Sequence, residues 1–248
     1  MSTLLYVGTA GWSLPRAEQP LFPGEGTHLE RYARLLRGAE INASFYRSLR
    51  PELYDKWAES VPADFRFAVK VPKVVTHEHR LLDCEEPLAT FLDEVAALGE
   101  KLGPLLVQLP PGLEYDANLA GAFFEVLRAL HDGPVALEPR NATWFTADAA
   151  ALLTEYVVAR VAADPARVPE AAVPGGWREL AYFRLHGSPR IYWSRYDAVF
   201  ISSLAAQLAD AVQEAREVWC IFDNTASSSA LPNALELLES VGHTLLRR

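Results

Sequence analysis

Gly8-Thr9-Ala10-Gly11-Trp12 follows the first apolar run of the chain, and its reading decides between two architectures. Short apolar runs that end in polar residues alternate along the sequence with stretches of helical spacing, so the repeating unit is β followed by α. Such units build either an open doubly wound sheet or a closed barrel. The open sheet would place a nucleotide on a glycine-rich first turn. The turn at 8–12 has neither GxGxxG spacing nor the Lys-Ser/Thr of a phosphate loop, so no nucleotide-cofactor motif is present. The closed (β/α)8 TIM barrel, an α/β fold, is the reading that remains.

Working outward from that turn, eight strands are expected: Leu4 to Gly8, Ala39 to Asn42, Arg66 to Lys70, Leu105 to Gln108, Val135 to Glu138, Ala159 to Ala162, Leu180 to Leu185 and Val218 to Phe222. Leu29, Tyr32, Ala33 and Leu36 form a helical stripe, as do Leu88, Phe91, Leu92, Val95 and Leu98, and Phe123, Val126, Leu127 and Leu130. The unit after strand six is the weakest, because Pro165, Pro169, Pro174, Gly175 and Gly176 leave room for one or two helical turns at most. The length of 248 residues suits one such barrel across 1–248, since these run to about 250 residues as a single domain.

Half of the residues are hydrophobic and 22% are charged, enough apolar surface for a large core. A net charge of −9 opposes long-range attraction to nucleic acid or to an anionic membrane. Cys84 and Cys220 are too few and too distant in sequence for a disulfide framework or a zinc pair. The start, Met-Ser-Thr-Leu-Leu-Tyr-Val-Gly, has no basic region and no long apolar stretch, so a cytoplasmic location and no membrane span are expected.

In a barrel, alternate strand residues face the interior and the C-terminal strand ends form the active face. Phe183 and Leu185 facing helices would turn Tyr182, Arg184 and His186 inward. The same parity points Ala136, Glu138 and Arg140 inward on strand five, Ala68 and Lys70 on strand three, and Glu40 and Asn42 on strand two. Gln108 ends strand four, Asp164 follows strand six, and strand eight runs into Asp223 and Asn224. Burying this many polar groups costs stability unless they are paired or serve a cavity.

Glu138, His186 and Asp223 are the expected acid and base groups. Glu40, Asn42, Tyr46, Lys70, Gln108, Arg140, Trp144, Arg184 and Asn224 are the expected substrate-binding groups. Arg140, Arg184 and Lys70 suit an anionic, phosphorylated or carboxylated, small molecule. Interior salt bridges, Glu40 with Lys70 and Glu138 with Arg184, are the alternative use of these charges. No metal residue is assigned in this reading. A divalent-metal variant would draw on Glu40, Glu138, Asp164 and Asp223.

His77 and His79, in Lys70-Val-Pro-Lys-Val-Val-Thr-His-Glu-His-Arg80, could hang over the mouth, but His-x-His with no acidic residue at an established ligand spacing is a weak metal signal. Trp12, Phe45, Tyr46, Trp144, Phe145, Tyr192, Trp193 and Tyr196 fall in strand-end loops, many beside arginines. Rings and arginines together can sandwich a planar ligand or a single-stranded base, although packing serves each ring equally well. Glycoside hydrolysis fits poorly, because strand four ends in Gln108 and strand seven in Arg184 and His186 instead of two opposed carboxyls.

Seven segments run in order through the chain: Gly8-Thr9-Ala10-Gly11-Trp12, Glu40-Ile-Asn42-x-x-Phe45-Tyr46-Arg47, Phe65-Arg-Phe-Ala-Val-Lys70-Val-Pro72, Leu102-Gly-Pro-Leu-Leu-Val-Gln108-Leu-Pro-Pro111, Glu138-x-Arg140-x-x-x-Trp144-Phe145, Tyr182-x-Arg184-Leu-His186-Gly187 and Phe222-Asp-Asn224-Thr225. On these the chain resembles the YecE-like family, domain of unknown function seventy-two, and the resemblance implies a TIM barrel without implying a reaction. Two departures stand out. Glu138-Pro139-Arg140-Asn141 replaces the family's Glu-Phe-Arg-His, and Ala226-Ser-Ser-Ser229 lacks the glycine often found there.

Overall fold

A computed structural model describes residues 3–245. Its strands are β1 (Leu4–Ala10), β2 (Gly38–Ile41), β3 (Arg66–Lys70), β4 (Leu102–Gln108), β5 (Val135–Glu138), β6 (Val158–Arg160), β7 (Ala162–Asp164), β8 (Gly175–Gly176), β9 (Leu180–Leu185) and β10 (Glu217–Phe222). All belong to one sheet in the order β7-β9-β10-β1-β2-β3-β4-β5-β6-β8. Every pairing is parallel except the short β6–β8 contact. The expected sixth strand is β6 and β7, interrupted at Val161. Its first half bonds β5 and its second half bonds β9, which brings the two ends of the sheet together as a barrel.

Helices cover the outside. Two are short, α1 (His28–Tyr32) and α2 (Ala43–Tyr46), and the longer ones are α3 (Pro51–Glu59), α4 (Glu85–Val95), α5 (Ala117–Leu130), α6 (Ala147–Glu155), α7 (Ala198–Glu214) and α8 (Ala230–Leu245). Side-chain caps fix several starts: Asp116 accepts from the Leu119 amide before α5, Thr146 from Ala149 before α6, and Asp197 from Phe200 before α7. On α5 the buried stripe is Ala120, Phe123, Phe124 and Leu127, close to the expected one. No helix follows β7. A 3₁₀ turn at Pro169–Ala172 and β8 occupy that interval, as its prolines and glycines require. The missing helix leaves a groove of about 300 Å³ outside the wall, lined in part by Val173, Phe183 and Ala211, with no convergence of buried charge.

The interior is built in layers. Tyr6, Leu180, Tyr182, Trp219 and Ile221 form an apolar floor, with Ala68, Ala136 and Ala159 on the facing strands. Trp219 stacks between Tyr6 at 4.7 Å and Tyr182 at 6.1 Å, and the alanines leave the space those rings need. Gly103 has a specific purpose here, because a Cβ on it would lie 2.7 Å from the Trp219 ring. Above this floor the inward side chains become ionic, so alternation along each strand delivers charge to the C-terminal rim.

Candidate functional site

Arg184 stands on the barrel axis one inward step above Tyr182 and is 1% exposed. Its Nε donates to Glu40 Oε2 at 3.0 Å and its Nη2 to Glu40 Oε1 at 2.7 Å. Nη1 donates to Glu138 Oε2 at 3.0 Å, and Nη2 also lies 3.1 Å from Asp223 Oδ2. Tyr182 Oη donates to Glu40 Oε2 at 2.8 Å. One guanidinium therefore holds carboxylates from β2, β5 and the end of β10, using all three of its nitrogens. The expected Glu138–Arg184 pair is present. Glu40 pairs with Arg184 and not with Lys70.

His186 continues the column. Its Nδ1 lies 3.0 Å from Asp223 Oδ2, and its Nε2 lies 2.8 Å from Glu138 Oε1 and 3.0 Å from Arg140 Nη2. Arg140 Nη2 also donates to Glu138 Oε1 at 2.7 Å. A protonated ring would donate to both carboxylates. A neutral ring would donate to Asp223 and accept from Arg140 at Nε2. The same atoms thus accommodate the proton on or off Nε2, which is what an acid and base group needs.

Burial alone would raise the Glu138 carboxyl, but His186, Arg184 and Arg140 hold it well below the usual range. Asp223 is lowered as well: burial opposes the shift, and Arg184 and His186 outweigh it. The three carboxylates push the Arg184 guanidinium further up despite the cost of burying it.

Strands β2 to β5 supply a second, differently arranged half. Lys70 is 7% exposed, and among the described residues no carboxylate lies within 4.0 Å of it. Its Nζ lies 3.9 Å from the centre of the Phe45 ring. Burial, and then the charge of Arg184, lower its amine to about 8, although Glu40, Glu138 and Asp223 pull the other way. His77 meets Phe45 edge to face at 5.0 Å and is lowered by burial and by the charges of Lys70 and Arg140. Arg140 Nε and Asn42 Oδ1 are buried and make no hydrogen bond within the protein. Gln108 lies beside Glu138 in the sheet register.

The loop after β9 folds over the first half. Gly187 takes φ +90°, and a Cβ there would lie 2.8 Å from the Ser194 carbonyl, so only glycine suits the return. Tyr196 Oη lies 2.8 Å from the Gly187 amide, which donates to it, and itself donates to Asp164 Oδ1 at 2.7 Å. Tyr192 stands edge-on over His186 at 5.9 Å.

Glu138, His186, Asp223, Glu40, Asn42, Lys70, Gln108, Arg140 and Arg184 therefore line or support the mouth, and four other residues sit elsewhere. Asp164 faces Tyr196 instead of the axis, which removes it from the metal set. The remaining carboxylates are committed to Arg184, and among the described residues no three His, Cys, Asp or Glu side chains are arranged to hold a metal. Trp144 is buried in the outer core, and its indole donates to the Leu113 carbonyl at 3.0 Å. Asn224 Nδ2 donates to the Ser194 carbonyl and to Asn233 Oδ1. Tyr46 is 69% exposed and packs edge-on against Phe45. Phe45, under Lys70 Nζ, and His77, edge-on to Phe45, are neighbours of the mouth that the strand-parity reading passes over. Their signal was the aromatic and histidine content of the loops after strands two and three.

Residues 6–247 match the family described as "Protein of unknown function DUF72". The chain belongs to this family. DUF72 relatives include YecE of Escherichia coli K12, 32% identical over 107 residues, an alignment spanning 43% of this chain and 38% of that protein. YunF of Bacillus subtilis is 23% identical over 95% of this chain and 94% of its own length. The crystal structure of a DUF72 protein from Enterococcus faecalis V583 superposes with a TM-score of 0.82 at 25% identity, covering 96% of each chain. The DUF72 barrel is thus common to this chain and that structure. Among the described residues no helix is long and apolar enough to cross a membrane.

Proposed function

We propose that this chain is an enzyme acting on a phosphorylated or carboxylated small molecule at the barrel mouth. The observation that carries the reading is the contrast between Lys70 and Arg184. A buried ammonium without a carboxylate is costly, and the cost is offset when an anion arrives. Arg140 Nε is an unbonded buried donor after β5, Gln108 ends β4 next to Glu138 in the sheet, and the unbonded Asn42 Oδ1 can accept a substrate hydroxyl. Arg184 directs all three of its nitrogens at carboxylates, so in this reading it positions Glu138, Asp223 and Glu40.

Glu138, His186 and Asp223 are the acid and base groups in this reading. His186 Nε2 exchanges a proton with the bound molecule, and Asp223 at Nδ1 fixes the ring orientation. Hydrolase, lyase and isomerase chemistry can each use such a group on a held anion.

The reading is tested by a thermal-shift screen of phosphorylated metabolites, sugar acids, nucleotides and divalent ions on the wild type and on Arg140→Gln. A ligand of the folded state raises its stability in proportion to its affinity and concentration. A phosphorylated or carboxylated compound that stabilises the wild type and not the variant is the expected result. Silence from every such compound, or equal stabilisation of Arg140→Gln, would overturn it. Salt-sensitive retention on single-stranded nucleic acid in place of small-molecule binding would redirect the site to a base-binding role.

A further inference from the structure

Lysine is scarce in this chain: Lys56, Lys70, Lys73 and Lys101 are its four lysines, against nineteen arginines. The cations that bind carboxylates inside the mouth, Arg184 and Arg140, are arginines, which stay charged at any ordinary pH. Inside the mouth, the buried cation without a carboxylate partner among the described residues is a lysine, a side chain that can surrender its proton and become a nucleophile; Arg160, equally buried, lies on β6 and donates to the Glu170 carbonyl. Lys73 pairs with Glu78, Lys101 donates to the Pro62 carbonyl, and Lys56 is exposed, so no other lysine shares this setting.

We propose that Lys70 forms a covalent imine with a substrate that carries an aldehyde or ketone beside its carboxylate or phosphate. The proposal rests on the anion-binding reading above and adds the carbonyl. Geometry supports it in three ways. Lys70 Nζ stands over the face of Phe45, which shields it from water without neutralising it. It ends β3 at the active rim, and Glu138, the partner of His186, lies close enough to act on its charge. Arg140 Nε, buried and unbonded, is a donor to the anionic group while the amine reacts. With an amine lowered to about 8, the neutral fraction near pH 7.5 is on the order of a hundredfold above that of an ordinary lysine.

The step balances without an oxidant or reductant. The Nζ lone pair attacks the carbonyl carbon, and the carbonyl oxygen takes a proton to give a carbinolamine. The carbon–oxygen bond then breaks, and the hydroxyl leaves as water after a second protonation from the acid group of the site. One ammonium and one carbonyl become one iminium and one water. The iminium draws electrons from the adjacent carbon, which favours loss of a proton or cleavage of the next carbon–carbon bond, with His186 as the group that takes the proton.

The test is reductive trapping with two small anionic carbonyl probes, glyoxylate and dihydroxyacetone phosphate. Sodium borohydride delivers hydride to the iminium carbon and fixes it as a secondary amine, and peptide mass mapping then locates the adduct. Glycolate and glycerol 3-phosphate, which carry the same anions and no carbonyl, are run in parallel by thermal shift on wild type and on Lys70→Arg. The expected result is labelling of Lys70 faster than of Lys56, Lys73 or Lys101 by at least about tenfold, given its larger neutral fraction. Excess glycolate or glycerol 3-phosphate should slow it.

Labelling spread evenly over the lysines, or absent from Lys70, while the carbonyl-free anions still stabilise the wild type, would overturn the imine and leave the anion site standing. Absence of Lys70 labelling together with no stabilisation by either anion would overturn both. The mapping is done on the wild type, so it does not depend on whether a variant folds.

Discussion

The two halves of the barrel mouth differ in how their charge is spent. On the β9–β10 side the charges are matched inside the protein: Arg184 holds three carboxylates, two of them reaching in from β2 and β5, and Asp223 and Glu138 hold His186 between them. On the β2–β5 side, Lys70 has no counter-ion within 4.0 Å among the described residues, and Arg140 keeps one buried donor unbonded. A saturated network is a frame that holds its groups in place, and His186 Nε2 reaches a ligand by exchanging its bond to Glu138 for one to the bound molecule. An unsaturated one is a seat. The sign of a mutation's effect on stability should therefore reverse between the two halves.

The largest effect is expected at Arg184. Arg184→Met leaves three buried carboxylates facing each other and should destabilise the fold by about 3–5 kcal/mol in urea denaturation. Adding Glu40→Gln and Glu138→Gln to that variant should recover much of the loss, since the uncompensated charges go with the cation. A loss under about 1 kcal/mol for Arg184→Met would mean that water already reaches these carboxylates and that the frame is not closed. Acid should act on the same side. Glu138 and Asp223 are lowered in the folded state, so their contribution is full above the unfolded carboxyl values. It is lost as pH falls below them toward the folded values. Wild type should lose stability there more steeply than Glu138→Gln.

A smaller effect of opposite sign is expected at Lys70. Its amine is lowered in the folded state, so the unfolded chain binds the proton more tightly. The penalty is complete below about 8 and fades as pH rises toward the unfolded value of 10.5. Lys70→Met should then stabilise the unliganded protein by about 1–3 kcal/mol near neutral pH. The gap should narrow in alkaline buffer, and the variant should lose stabilisation by anions. Thermal midpoints against pH measure all three, and a destabilised Lys70→Met at pH 7 would place Lys70 in the frame and not in the seat.

The smallest effect is expected at Trp144, outside both halves. Trp144→Phe removes the bond to the Leu113 carbonyl and should cost about 1 kcal/mol of stability while leaving anion binding unchanged. A change in binding would return Trp144 to the site.

Much of this arrangement was legible along the chain. Strands β3, β5 and β9 have the bounds expected from their apolar runs, and alternation orients Lys70, Glu138 and Arg184 correctly. Proline and glycine spacing announces the missing helix after β7. Position at a strand end alone does not place Asp164 and Asn224; the alternation along each strand does. Val161 and Asp223 face inward, so Asp164 and Asn224 turn away from the axis.

The partners of Arg184 were only half legible for a different reason. Strand order tells which residues are neighbours along the sheet, whereas β2 and β9 are separated by β1 and β10. Glu40 and Arg184 meet across the axis, a contact that exists only once the barrel has closed. Trp144, on the 3₁₀ turn Ala142–Phe145, could face the mouth or the outer core, and its composition does not choose between them.

The central claim, that the β2–β5 half is an anion seat, is tested most directly by crystals soaked in tungstate, whose anomalous signal locates a bound oxyanion without reference to any substrate. The expected result is a peak at the mouth within hydrogen-bond distance of Lys70 Nζ and Arg140 Nε. Tungstate bound only elsewhere on the surface, with Lys70 still resting over Phe45, would contradict the account.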